Sequence, residues 1–121
     1  METKFYRCQH CGNIIYKLHD SGVSVVCCGE EMQLLVANTV DASLEKHVPV
    51  LIQNKKNIEI KVGTEPHPMT NEHYIEWIAV VNNGNISVHY LKPLDQPLAI
   101  FNLLNVDETY AYCNLHGLWK L

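Results

Sequence analysis

The chain reads as all-β and in two parts: a small metal-stapled module over residues 1–37, then an antiparallel β-sandwich over 38–121. Three features carry this. Four of the five cysteines fall within the first 28 residues. The apolar runs are short, some alternate with period two, and none sustains a helical period with caps. Asn, Gly and Pro gather where the runs meet.

The first 36 residues hold four strand-like runs, KFYRC, IIYKL, VSVVC and MQLLV, split by Gly12, Gly22 and Gly29. A stretch this short cannot bury a core of its own, and domains of that size are held by metals or disulfides. A boundary falls near Ala37 to Thr39. Beyond it, HVPVLI, NIEIKV, YIEWIAVV, ISVHYL, LAIFNLL and TYAYC are candidate strands. NIEIKV alternates as a half-buried strand should. Asn82-Asn83-Gly84-Asn85 is a hairpin signal, and the two prolines of KPLDQP mark a connection. About seven short strands in this length suggest a sandwich, although periodicity alone also fits a small barrel.

Composition narrows the class. With 121 residues, 47% hydrophobic and 18% charged, the chain has enough apolar content to fold and too little charge for disorder. The formal charge is −4 and the basic residues are scattered, which gives no footprint for nucleic acid. No apolar run approaches a membrane span. METKFYRC is charged and polar where a secretion signal would be apolar. These features predict a cytoplasmic protein, a compartment that keeps thiols reduced.

Cys8-Gln9-His10-Cys11-Gly12 is a knuckle. Two intervening residues let both thiolates reach one ion, and the glycine permits the turn that aims backbone N–H groups at sulfur. Cys27-Cys28-Gly29 supplies two more sulfurs. Four soft thiolates point to tetrahedral zinc or mononuclear iron, and spacing does not separate the two. With four cysteines available, His10 is expected to be exposed and His19 to lie in a turn.

A second group of donors lies in the rest of the chain: His47, His67, His73, His89, Cys113 and His116. His47 opens the HVPVLI run. His67 is flanked by Pro66 and Pro68, which restrict the backbone on both sides. His73 follows on the same loop. Cys113 and His116 share the CNLHG loop. His89 sits within ISVHYL and reads as a strand residue only. A Cys-x-x-His loop on a β-sandwich also suits blue copper, but that site needs a methionine close behind the histidine. Gly117, Leu118 and Trp119 stand there instead, and the nearest methionine in sequence is Met69.

Together, CQHCG, CCG, EKHVP, the pair His67 and His73, and CNLHG resemble desulfoferrodoxin, the two-iron class of superoxide reductase. The resemblance spans nearly the whole chain and fills every ligand position. It implies a desulforedoxin-like first iron site of Cys8, Cys11, Cys27 and Cys28. It implies a second iron in the plane of His47, His67, His73 and His116, with Cys113 as axial ligand. It also implies an immunoglobulin-like catalytic domain, a homodimer and a rubredoxin-type electron donor.

Five donors would leave one octahedral position open, and a thiolate opposite it pushes electron density toward whatever binds there. The implied reaction is one-electron reduction of superoxide to hydrogen peroxide without forming dioxygen. By the same resemblance, Lys46 would attract the anion and help to supply protons. Glu45 would take the open position once the iron is oxidised. Tyr110, Tyr112 and Trp119 are read as packing around the terminal loop. Two other classes compete: a non-enzymatic electron carrier with two metal centres, and a zinc-stapled interaction module fused to a sandwich.

Overall fold

The computed structural model describes residues 2–121. The chain separates into two compact units, Met1–Val36 and Ala37–Leu121.

The first unit has five short strands: β1 (Phe5–Arg7), β2 (Ile14–Tyr16), β3 (Val26–Cys27), β4 (Glu30–Glu31) and β5 (Gln33–Leu34). β2, β1 and β5 form one antiparallel sheet, and β3 pairs with β4 in a separate hairpin. Among its described residues only Phe5, Cys8 and Met32 are buried. A core of that size cannot offset the entropy of ordering the segment. The VSVVC run is strand only at its end, and Val23 and Val25 are exposed.

The second unit begins with a helical turn, α1 (Leu44–His47), followed by β6 (Pro49–Gln53), β7 (Ile58–Val62), β8 (Ile75–Asn82), β9 (Asn85–Tyr90), β10 (Leu98–Phe101), β11 (Glu108–Cys113) and β12 (Gly117–Lys120). The two sheets run β10-β7-β6 and β12-β11-β8-β9, and all pairings are antiparallel. This three-plus-four arrangement is the strand complement of an immunoglobulin-like sandwich. Ile58, Ile60 and Val62 of β7 are fully buried, while Glu59 and Lys61 between them are not. They meet Ile78 and Val80 of β8 and Ala111 of β11 in one core cluster, which also holds Cys113. The thiol therefore sits at the margin of the packed interior.

Two elements differ from expectation. His47 does not open a strand; it ends the four-residue turn α1. Pro49 forces this stop twice. It holds Val48 in extended backbone, observed at φ −69°, ψ 122°, and it has no N–H to bond the carbonyl four residues back. The C-terminal GLWK, absent from the candidate strands, also departs from expectation. It is a strand, β12, registered on β11 with Cys113 opposite Gly117. Gly117, at φ 79°, takes the left-handed position that closes such three-residue connections. The Asn82–Asn85 hairpin forms as expected, with Asn83 and Gly84 both at positive φ.

Candidate metal centres

The sulfurs of Cys8, Cys11, Cys27 and Cys28 all lie within 4.8 Å of one another. The knuckle is set by its backbone. The Gly12 N–H donates to the Cys8 carbonyl at 3.0 Å, and the Cys11 N–H points at Cys8 Sγ at 3.5 Å. The adjacent cysteines converge because of the turn they occupy. Cys28 (φ 53°) and Gly29 (φ 77°) are the two central residues between β3 and β4. Two consecutive left-handed residues make the turn that matches strand twist.

Cys11 and Cys27 approach to 3.6 Å, far beyond a disulfide bond, and all five cysteines are free. Backbone N–H groups of the knuckle pull the Cys8 thiol down to about 6. The neighbouring sulfurs of Cys8 and Cys11 push Cys28 up to about 12, and Cys27 is raised by the same sulfurs. One thiolate forms readily and its neighbours resist a second charge. A soft cation among them removes that conflict.

In the second unit, the donors of His47, His73, Cys113 and His116 lie within 4.8 Å of one another. His67 stands beside them, with its Nε2 3.2 Å from His47 Nε2. The four imidazoles close a ring. Neighbouring ring centres lie 4.6 Å (His47–His67), 4.6 Å (His67–His73), 5.0 Å (His73–His116) and 4.9 Å (His116–His47) apart. Each pair is nearly perpendicular, at 81–84°. His47 and His73 face each other across the ring at 6.3 Å. Cys113, fully buried, places Sγ 3.8 Å from His116 Nδ1.

The hydrogen bonds fix which nitrogens turn inward. His47 Nδ1 meets the Ser43 carbonyl at 2.6 Å, and His67 Nδ1 meets the Pro68 carbonyl at 2.6 Å. A carbonyl only accepts, so both Nδ1 atoms carry the proton and both Nε2 atoms present lone pairs. Burial holds both imidazoles neutral, His67 at about 4 and His47 below its usual value. The 3.2 Å contact between their Nε2 atoms is then lone pair against lone pair. His73 Nε2 is buried with no hydrogen-bond partner. Neutral imidazoles with the outer N–H on a backbone carbonyl are the form in which histidine binds metal. A cation among these nitrogens resolves both the repulsion and the orphaned nitrogen. Burial pushes the Cys113 thiol up, and the backbone N–H groups of His116 and Leu115 oppose it.

The turn that carries His47, the loop that carries His67 and the backbone of His116 are each held by identifiable contacts. Glu45 O would bond residue 49 in a longer helix, but Pro49 has no N–H. It accepts instead from Glu65 N at 2.9 Å and Thr64 Oγ1 at 3.1 Å. This joins the turn that ends in His47 to the loop that holds His67. Gly63 is required there, since a Cβ would lie 2.5 Å from Glu45 O. The Trp119 ring lies 4.8 Å from that of His47, and its Nε1–H donates to His116 O at 3.1 Å. Met69 Sδ accepts from Ile75 N at 3.4 Å and packs on the core. Glu45 and Lys46 are exposed beside His47, and His10 and His89 are exposed on other elements. Gly63, Thr64 and Asn114 carry no signal in composition or spacing. Their roles arise from contacts distant in sequence.

Residues 39–121 match the family model described as Desulfoferrodoxin, and residues 1–35 match that described as Desulfoferrodoxin, N-terminal domain. The chain is 47% identical over 120 residues to the desulfoferrodoxin of Syntrophotalea carbinolica, covering 98% of this chain and 95% of that one. It is 45% identical over 121 residues to the desulfoferrodoxin of Nitratidesulfovibrio vulgaris, again covering 98% and 95%. The solved structure of the superoxide reductase from Treponema pallidum matches with a TM-score of 0.83 at 34% identity, over 100% of this chain and 99% of that one. The four-cysteine site and the histidine–cysteine site correspond to the two iron centres of such proteins. With both donor sets formed and both models matched in order, the chain belongs to the desulfoferrodoxin family.

Proposed function

We propose that this protein is a superoxide reductase that converts superoxide to hydrogen peroxide with one electron and two protons, forming no dioxygen. The observation that carries this is the ring of inward nitrogens beside a buried thiol, with His47 and His67 lone pairs 3.2 Å apart. His47, His67, His73, His116 and Cys113 would hold one iron, and Cys8, Cys11, Cys27 and Cys28 the other. Bound in its ferrous state, the second iron supplies the electron.

The chain's own residues do the rest. Ser43 and Pro68 carbonyls keep His47 and His67 in the tautomer that offers Nε2 inward. Trp119 and the core around Cys113 exclude water from the thiolate side, which keeps its charge directed at the site. The chain is net negative, so attraction of a small anion must be local. Lys46, exposed next to His47, would supply that local charge and help to deliver protons. The Glu45 carboxyl is held below its usual range by its own backbone N–H, and this exposed anion would close the site after turnover by giving up that bond. The cysteine site would take electrons from a small rubredoxin-type donor or staple its module. A homodimer in the cytoplasm completes the proposal. The five free cysteines suit that compartment, and no helix among the described residues is long and apolar enough to cross a membrane.

The test is to mix reduced, iron-loaded protein with superoxide and follow both gases and products. One hydrogen peroxide per superoxide with no dioxygen is expected. Dioxygen released in step with peroxide would mean dismutation and would refute the proposal.

A further inference from the structure

We propose that Asn114 is a positioning residue that sets His73 in register with Cys113 and His116. The inference rests on the reading that these side chains share one metal ion.

The rings of His47 and His67 are each oriented by a backbone carbonyl. His73 has no such support: Nε2 is buried without a partner, and neither ring nitrogen has a protein hydrogen bond among the described residues. Its direction must be set through its backbone. One end of that control is Thr70. The His73 N–H donates to Thr70 Oγ1 at 3.1 Å, and the His73 carbonyl accepts from Thr70 N at 2.9 Å.

The other end is Asn114, the residue after Cys113. Its Oδ1 accepts from Tyr74 N at 2.9 Å. Its Nδ2 donates to Glu72 O at 2.9 Å, and its backbone N–H donates to Tyr74 O at 3.2 Å. The Tyr74 N–H can only donate and the Glu72 carbonyl can only accept, so the amide orientation is fixed. These three bonds straddle His73 and tie it to the hairpin that carries both Cys113 and His116. Asn114 therefore stands in for the ring hydrogen bond that His73 lacks.

The same chain supplies a control. Asn38 makes the same three kinds of bond to β12: N–H to Leu118 O at 3.0 Å, Nδ2 to Lys120 O at 2.9 Å, and Oδ1 from Lys120 N at 2.8 Å. None of these touches a donor residue. Asn38 also sits at φ 62°, so Asn38→Ala adds backbone strain to the loss.

The experiment uses the full chain loaded with iron and an excess of a ferrous chelator. Release from the histidine site is followed by its thiolate-to-iron absorption, with the cysteine site as internal reference. Loss of an outer partner of a metal ligand weakens metal binding by about 10- to 100-fold. Asn114→Ala should therefore release the second iron at least about tenfold faster than wild type and shift the thiolate band. Asn38→Ala loosens the strand on either side of Trp119 rather than a donor, so its effect on release should stay well below that of Asn114→Ala while the unfolding midpoint falls. Asn114→Asp guards against failure to fold. It keeps the acceptor for Tyr74 N–H but sets an anionic oxygen against Glu72 O, and it should move release in the same direction. Wild-type release and band in a folded Asn114 variant would overturn the inference, as would equal acceleration in Asn38→Ala. If wild type binds iron at the cysteine site alone, the functional proposal fails first and this inference fails with it.

Discussion

Gly63→Ala is a small substitution with a large expected effect. Gly63 is buried, and an added Cβ would lie 2.5 Å from Glu45 O, 3.0 Å from Val48 O and 3.1 Å from Glu45 C. All three are backbone atoms, so no side chain can swing aside. Ordinary contact begins at 3.4 Å, so the Glu45 carbonyl must retreat by about 0.9 Å. That retreat stretches both hydrogen bonds holding α1 to the His67 loop, now 2.9 Å from Glu65 N and 3.1 Å from Thr64 Oγ1. Overpacking of this kind costs about 1–3 kcal/mol, which lowers the unfolding midpoint of a domain this size by about 4–8 °C per kcal/mol. The displaced turn carries Glu45, Lys46 and His47, and a misplacement near 1 Å at a reacting site lowers rates by about 100-fold. Rapid mixing of reduced protein with superoxide should show a rate constant about 10- to 100-fold below wild type. Thr64→Val removes one of the two bonds without the steric push, costs about 1 kcal/mol and should fall between. A Gly63→Ala protein with wild-type midpoint and wild-type rate would show that the turn and the loop are not coupled as described.

Other substitutions separate the roles of individual groups. Lys46→Ala should slow superoxide capture about tenfold at low ionic strength and flatten its salt dependence; an unchanged salt profile would remove Lys46 from steering. Trp119→Phe loses the bond to His116 O and contact area over His47, so it should shift the thiolate-to-iron band and lower stability by about 1–3 kcal/mol; an unaltered spectrum would count against this support. Cys11→Ser should abolish the first metal centre and, since few side chains are buried there, unfold the first unit while the second keeps its iron. Normal steady-state reduction by that variant would show that the first centre is not needed to pass electrons.

Much of the architecture was legible because it is local. NIEIKV alternates, and β7 buries the alternate residues. Asn83-Gly84 demands a tight hairpin, and the hairpin forms. What escaped was either too short or too distant in sequence to see. LEKH is one turn, less than a period, and only Pro49 shows why it stops. GLWK became a strand because Gly117 could take a left-handed conformation and return the chain along β11. CCG is legible as a source of two sulfurs, but not as the tight turn that Cys28 and Gly29 form. At the second site, the histidines and Cys113 were visible as residue types with no obvious structural duty. The supports were not visible: Asn114 bonds across 42 residues to Glu72, and Gly63 matters only because Glu45 O lies against it.

The decisive measurement is iron content combined with absorption spectra of wild type and Cys113→Ser. Five side chains gathered on one ion, beside the separate four-cysteine site, predict two irons per chain and a thiolate-to-iron band that vanishes in Cys113→Ser while the cysteine-site spectrum persists. A wild-type chain with no iron at the histidine site, or a band indifferent to Cys113, would contradict the convergence of His47, His67, His73, His116 and Cys113 on one metal.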